Sequence, residues 1–436
     1  MMVVPIVHRG APTPLMATAK EGARRVISAD FVVIGAGVVG ITVASGLKRR
    51  HPRANVLVLE KESRPGLHAS GRNSGVLHAG FYYSADSLKA RFTREGNARM
   101  KEYCKLKGLR VNRCGKLVVP RAESEFEGLA ELLRRGRQNR VDLEEVDEHA
   151  ARRIEPRARV LARALYSPAT ATIDPGEVMQ SLVADAEAAG VVLRMGTRVL
   201  GLSERGVETT GGPIAHGYVV NAAGLYADRI ARGFGFSESY RILPFKGLYL
   251  HSSEPPGAFR TNVYPVPRPG VPFLGVHVTV TVDGKAKIGP TAIPCLWREQ
   301  YGWRDNFHAS ELAQVVSTGI GLSLRAGFDF RGLAMEEMRK YHRPYLVAQA
   351  AKLAEGIDAG DYTRWGTPGI RAQLVDVKRR MLVDDFRLEG DARSLHVLNA
   401  VSPGFTCAIP FAEFVCDEIE RRARGLSTAD PLTAAS

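Results

Sequence analysis

Asp30-Phe31-Val32-Val33-Ile34-Gly35-Ala36-Gly37-Val38-Val39-Gly40 is the stretch on which the reading of this chain turns. Asp30–Ile34 is a short β-branched run of the kind that forms a buried parallel strand. Three glycines follow at once, and Ile41–Arg50 then has helical composition. A second apolar run, Val56-Leu57-Val58-Leu59, ends at Glu60. The whole reads as a βαβ unit of about 30 residues, with a G-x-G-x-x-G turn and an acid about 20 residues further on. Gly35 permits the tight turn, Gly37 lets the backbone approach a pyrophosphate, and Gly40 lets the helix lie close to the strand. The helix N-terminus adds amide donors and positive potential. Glu60 is placed to accept from ribose hydroxyls, and its neighbour Lys61 joins the candidate cofactor-binding set. A glycine-rich turn alone is weak evidence; its position between strand and helix, with the acid in register, makes it specific.

Working outward, the apolar stretch Phe31–Leu47 is this strand and helix, not a membrane span, and a polytopic membrane protein is excluded. A length of 436 residues suggests two or three domains. A chain that is 45% hydrophobic and 24% charged is a soluble globular protein and not a disordered or fibrous one. Sixty Lys and Arg against 46 Asp and Glu give a net charge of +14. Basic clusters at Lys48–Arg53, Arg134–Arg140, Arg152–Arg159, Lys378–Arg380 and Arg421–Arg424 are scattered among acids, with no aromatic-interleaved stripe. That pattern argues against nucleic acid as the main partner and for a solvated surface that steers acidic substrates or touches a membrane peripherally. The five cysteines form no CxxC pair and no zinc-type set, so no metal is expected and the thiols read as reduced and intracellular. Residues 1–29 read as a leader, either a mitochondrial transit peptide or a disordered segment, without the pattern of a secretory signal. The expected location is mitochondrial in a eukaryote, and otherwise cytoplasmic or peripheral at the inner membrane.

Further along, Asp174, Pro175 and Glu177 are an N-cap, a first-turn proline and a capping-box acid for a helix reaching Ala188. Val191–Leu193, Val199–Leu202 and Tyr218–Asn221 read as strands, and Arg241–Ile293 as an antiparallel sheet. Glu311–Leu324, Glu336–Leu353 and Ala412–Arg422 read as helices, and Leu395–Asn399 as a late buried strand. The expected fold class is α/β: a Rossmann-like cofactor domain assembled from 30–105, 165–235 and 365–424, plus an α+β substrate domain with an antiparallel sheet from 106–164 and 236–364. Residues 425–436 read as a flexible tail.

A second motif follows the first. Gly71-Arg72-Asn73-Ser74-Gly75-Val76-Leu77-His78-Ala79-Gly80-Phe81-Tyr82-Tyr83 suits a second contact with a long cofactor, a structural loop being the competing reading. Arg72–Tyr83, continued through Ser87-Leu88-Lys89-Ala90, resembles the L-2-hydroxyglutarate dehydrogenases and oxidases, FAD enzymes of the D-amino-acid-oxidase-like superfamily. Cys114-Gly115-Lys116-Leu117, Asn221–Arg229, Asn262–Pro267, Phe273–His277 and Gly369–Gln373 extend the likeness, from about Asp30 to Glu420.

The resemblance implies an extended FAD, with an antiparallel sheet roofing its isoalloxazine. Gly35, Gly37 and Gly40 then contact the pyrophosphate and Glu60 the ribose, while Arg72, Asn73 and Ser74 lie on the flavin side. Val199 falls in the strand pair that reaches the adenine, and Ala223 and Gly224 in a loop closing over the pyrophosphate. Ser402, Gly404, Phe405 and Thr406 lie near the flavin pyrimidine. Oxidation of a 2-hydroxy acid also needs a base for the hydroxyl proton and cations for carboxylates. His277 is the first candidate base and His78 its rival; Arg371 and Lys246 are candidate carboxylate binders, and Tyr264 and Tyr83 candidate donors. Each also admits a purely structural reading.

The implied activity is oxidation of L-2-hydroxyglutarate or a similar 2-hydroxy acid, with electrons passing to a quinone or other acceptor. An amino-acid oxidase producing H2O2 and a non-catalytic nucleotide-binding scaffold are the alternatives. The chain departs from the family pattern at Leu248, where an acid is usual, and at Gly404-Phe405 in the late loop.

Overall fold

The computed structural model describes residues 27–268, 273–325 and 329–425. Most of the expected leader, and all of the expected tail but Gly425, lie outside them.

Strand β1 (Ile27–Ile34) leads through the glycine turn into helix α1 (Val38–Arg50) and strand β2 (Val56–Leu59). β1 sits inside a parallel sheet, between β2 on one side and the strand Ile214–Asn221 on the other. Val192–Arg194 extends the sheet beyond β2, and Ser394–Asn399 lies parallel to Ile214–Asn221. Both faces of β1 are covered: Val33 belongs to the core under α1, and Val32 to a smaller core on the opposite face. That explains the unbroken apolar run Phe31–Ile34 in its second half.

The larger core is closed by the final helix, Gly404–Ala423, which packs against both α1 and the helix Leu88–Leu106. Phe411 stacks on Phe386 with ring centroids 4.3 Å apart, and Phe92 meets both rings. Two of these helices differ from the sequence reading. The last begins at Gly404 rather than Ala412, and runs through Pro410. Proline lacks the N–H that would bond the carbonyl four residues back, so it normally argues for a break. Here the freed Thr406 carbonyl faces Gly96 of the neighbouring helix, where a Cβ would come within 2.1 Å of it. The other difference is in Glu336–Leu353, which is two helices, Phe330–Arg339 and Arg343–Ala350. Pro344 stands in the first turn of the second, where its missing N–H costs nothing.

Two further sheets build the other half. Tyr240–Gly247 pairs antiparallel with Gly369–Asp376 along its whole length. That pairing joins the segment assigned to the substrate domain with one assigned to the cofactor domain. A larger sheet includes Lys116–Val119 beside Asn262–Pro265, followed by His277–Val280 and Ala286–Gly289. All five cysteines are free, including Cys104 and Cys114. No helix among the described residues is long and apolar enough to cross a membrane.

Candidate active site

A cavity of about 580 Å³ runs from the C-terminal edge of the parallel sheet to the antiparallel roof. One end is built largely from backbone. Gly35 has φ +103, a value that favours glycine, and a Cβ there would stand 2.6 Å from the Ala222 carbonyl oxygen. At Gly40 the helix touches the turn, with a notional Cβ only 1.9 Å from the Gly35 carbonyl oxygen. Gly35 and Gly37 line the cavity, whereas Gly40 serves the packing behind it. Glu60 is buried and held by two amides: Ala36 N–H donates to Oε2 at 2.8 Å and Glu62 N–H to Oε1 at 2.9 Å. Lys61 lines the wall beside it, 2.7 Å from Glu299 and 3.1 Å from His68 Nε2, and also pairs with Glu62.

Two helix N-termini open on this cavity, those of α1 and of Gly404–Ala423. Neither N-cap, Gly37 or Pro403, supplies a capping side chain, and neither first turn holds an acid. In α1 the Val38 N–H donates to Ser70 Oγ at 2.9 Å; helix ends whose own N-cap supplies no side chain suit anionic groups. A dinucleotide with a pyrophosphate in the middle and an electron-rich ring at one end fits that pair of ends. It also fits Glu60, whose carboxylate is fixed by backbone and keeps lone pairs for hydroxyls.

The other cofactor candidates fall along the same cavity. Val199, Ala223 and Gly224 line it near the first helix, and Ser402, Gly404, Phe405 and Thr406 near the last. Arg72, Asn73 and Ser74 line it too, but their side chains serve the loop. Arg72 donates through Nε to the Leu67 carbonyl at 2.6 Å and lies 4.2 Å from the centre of the Tyr301 ring. Asn73 accepts from Gly75 N–H at 2.9 Å, and Ser74 from Val76 N–H at 3.2 Å.

At the roof, Arg371 lines the cavity and donates to the Thr291 carbonyl at 3.0 Å. Among the described residues no carboxylate pairs with it, so its guanidinium is free to hold an anion. His78 lines the cavity and is buried; burial, and then the Lys116 charge, press its pKa well below the usual histidine range. His277 and Tyr264 are not among the lining residues. They stand behind the wall, stacked with ring centroids 3.6 Å apart. His277 Nδ1 donates to the Gly275 carbonyl at 3.0 Å, and burial holds its pKa well below normal. Burial pushes Tyr264 well above its ordinary pKa. Lys246 alternates with Phe245 and Gly247, away from the cavity, with Nζ 5.9 Å from the centre of the Tyr341 ring. Tyr83 is also outside the lining, with Lys89 5.7 Å from its ring centre. Leu248 is buried, its N–H donating to Thr291 Oγ1 at 3.0 Å.

Sequence reasoning missed Lys116 and Tyr249. Tyr249 lines the cavity, and burial pushes its pKa up to about 12. Lys116 is fully buried, and burial brings its pKa down to about 7. A signal for it was present: a lysine opening the otherwise apolar run Leu117-Val118-Val119.

A parallel sheet with a glycine turn and paired helix N-termini along one cleft defines an oxidoreductase that holds a dinucleotide cofactor. The profile of the DAO family, described as FAD dependent oxidoreductase, matches residues 30–418, and the chain belongs to that family, with FAD as its cofactor. It is 35% identical to human mitochondrial L-2-hydroxyglutarate dehydrogenase over 436 aligned residues, covering 95% of this chain and 93% of that one. It is 32% identical to the L-2-hydroxyglutarate dehydrogenase of Escherichia coli K12, over 90% and 93% of the two chains. The fold resembles glycine oxidase from Geobacillus kaustophilus, with a TM-score of 0.69, 21% identity and coverage of 92% and 96%.

Proposed function

We propose that this chain oxidises L-2-hydroxyglutarate to the corresponding 2-oxo acid. What carries the reading is identity of 32–36% to curated L-2-hydroxyglutarate dehydrogenases, along about nine-tenths of both chains. Arg371 supports it, as a guanidinium with no carboxylate partner among the described residues, on the wall of a cavity that would receive a dianion. In this reading Arg371 binds a substrate carboxylate through its forked donors. His78 takes the hydroxyl proton, because it lines the cavity and burial keeps it neutral at pH 7. Tyr264 and His277 back that wall and keep it rigid. Lys246 is left out of the carboxylate set, since it faces Tyr341. FAD, when bound, supplies the acceptor for the substrate's hydride. Gly35, Gly37, the α1 amides and Glu60 hold its adenosine diphosphate part, and the N-terminus of Gly404–Ala423 meets its ring.

Electrons then leave to a quinone or another acceptor, and the basic surface makes peripheral contact with a membrane. In a eukaryote the enzyme works in the mitochondrion. Anaerobic mixing with L-2-hydroxyglutarate should bleach the oxidised flavin band. If small amino acids bleach it with peroxide formed in air, and L-2-hydroxyglutarate does not, the substrate assignment falls.

A further inference from the structure

Lys116 is an anomaly in this fold. Its side chain has no exposed surface, yet no carboxylate pairs with it among the described residues. A buried ammonium without a counter-charge is costly and normally sheds its proton. Three aromatic rings surround this one: Tyr264 with its centre 4.1 Å from Nζ, Tyr82 at 5.0 Å and Phe81 at 5.6 Å. Their faces stabilise a cation when one forms, without holding it permanently as a carboxylate would. Among the described residues the one nitrogen partner of Nζ is His78 Nδ1, at 3.5 Å. The other edge of that ring belongs to a residue lining the cavity. The titratable groups facing Lys116 are His78 and Tyr82 from the segment after Val76–Leu77, Cys114 on the approach to its own strand, Tyr264 from Asn262–Pro265 and His277 from His277–Val280. His277 is tied through Nδ1 to the Gly275 carbonyl, and Tyr264 and Tyr82 keep their protons because burial raises both. Burial raises the Cys114 thiol as well, and its sulfur is engaged by Thr172 and Asn262; among these groups His78 is the one within hydrogen-bond reach of the amine.

We propose that Lys116 is the positioning residue of a two-step proton relay, its neutral amine accepting the Nδ1 proton of His78 while His78 Nε2 takes the hydroxyl proton of the substrate. The inference rests on the reading of the cavity as a site of 2-hydroxy-acid oxidation. The substrate O–H bond breaks and Nε2–H forms; Nδ1–H breaks and Nζ–H forms, leaving an ammonium inside the aromatic box. The hydride from C2 leaves to FAD, so the carbinol carbon is oxidised by two electrons and the cofactor reduced by two. His78 ends neutral with its proton moved from Nδ1 to Nε2, which spares the buried ring a charge that its surroundings oppose. The direction with pH follows. Protonated Lys116 can only donate to Nδ1, which forces the proton to Nε2 and removes the base; neutral Lys116 accepts from Nδ1–H and leaves an Nε2 lone pair at the cavity.

The test uses the FAD-loaded enzyme, with Lys116→Met and Lys116→Arg. In the wild type kcat/KM should rise with pH through the Lys116 titration at about 7. Both variants should lose that limb and at least about tenfold in kcat/KM, roughly the worth of one charge-assisted hydrogen bond. A guanidinium is never neutral, so Lys116→Arg should not restore the rate, whereas a residue that merely supplied packing or positive charge would be rescued by that change. Independently, side-chain 15N NMR of histidine-labelled holoenzyme should show His78 passing from the Nε2–H to the Nδ1–H tautomer as pH rises through the same range, with no passage in Lys116→Met. A wild-type rate and pH limb in Lys116→Arg, or a His78 tautomer that ignores pH in the wild type, overturns the relay. A wild type that makes the tautomer change but does not oxidise L-2-hydroxyglutarate overturns the substrate reading and leaves the relay standing.

Discussion

The two ends of the cavity are built on opposite principles. At the α1 end the walls are main chain: a glycine turn, helix amides and the Ala222 carbonyl, with Glu60 pinned by two N–H groups. At the roof the wall is side chains, His78 and Arg371, backed by Lys116, Tyr264 and His277 from neighbouring strands. The first end depends on the absence of atoms, since a single added Cβ at Gly40 would sit 1.9 Å from a carbonyl. The second depends on the presence of particular ones. Holding an invariant part of a cofactor needs only close backbone approach, while moving a proton needs titratable groups in a dry setting.

That contrast can be broken most sharply at His78. Replacement by Ala should lower kcat/KM by about 10²- to 10⁴-fold, the usual worth of a positioned base, while the flavin spectrum and its retention stay unchanged. Loss of flavin together with activity would mean that the two ends are not separable. The reverse experiment is Gly40→Ala, where helix α1 must shift to admit the methyl group. Overpacking of this kind costs about 1–3 kcal/mol or more. It should appear as a lower Tm and faster loss of flavin, with near-normal kcat in the fraction that keeps it.

Acid should strain the roof before the cradle. His78 and His277 are held neutral, with folded pKa values below the unfolded one of about 6.5. The unfolded chain therefore binds protons that the fold refuses, so the stability these groups contribute is present above that pH and is lost as pH falls below it. Urea midpoints measured from pH 8 to 5 should decline, and the decline should shrink in a His277→Gln variant. An unchanged slope would mean that His277 charges freely in the fold. The smallest effect is expected away from both ends, at Asp174, whose carboxylate caps the helix Pro175–Ala188 by accepting from Gly176 and Glu177 N–H. Asp174→Ala should cost about 1 kcal/mol in denaturant unfolding and leave the pH–rate profile as it was.

The same contrast explains what could be read from the sequence. β1, α1 and β2 came from local order, because their spacing is set by a turn whose chemistry is contiguous. The helix after Asp174 was equally local. Leu88–Leu106 went unread, and its packing is fixed by Thr406, in a helix far along the chain. The resemblance placed the start of the last helix at Ser402–Thr406, but composition alone began it at Ala412, because a proline inside a helix is tolerated only when a neighbour accommodates the carbonyl it frees. All the cofactor candidates but Gly40 line one cavity, because most stand in turns next to a strand end or helix start. The catalytic candidates divide: His78 and Arg371 reach the cavity, Tyr264 and His277 stand behind it, and Lys246 turns away. Strand alternation decides which face each one takes, and register cannot be fixed without knowing the partner strand.

The helix Gly404–Ala423 has a consequence for the birth of the protein. Residues from Ile34 to Thr406 line one cavity, so a chain still on the ribosome presents the glycine turn long before it can close the opposite wall. Until that helix docks, the apolar faces of α1 and Leu88–Leu106 stay bare and FAD finds half a site. Cofactor capture then rewards only the completed molecule, since a ligand stabilises the state that binds it and no other. A chain ending before Gly404 should therefore hold flavin more weakly than the whole one.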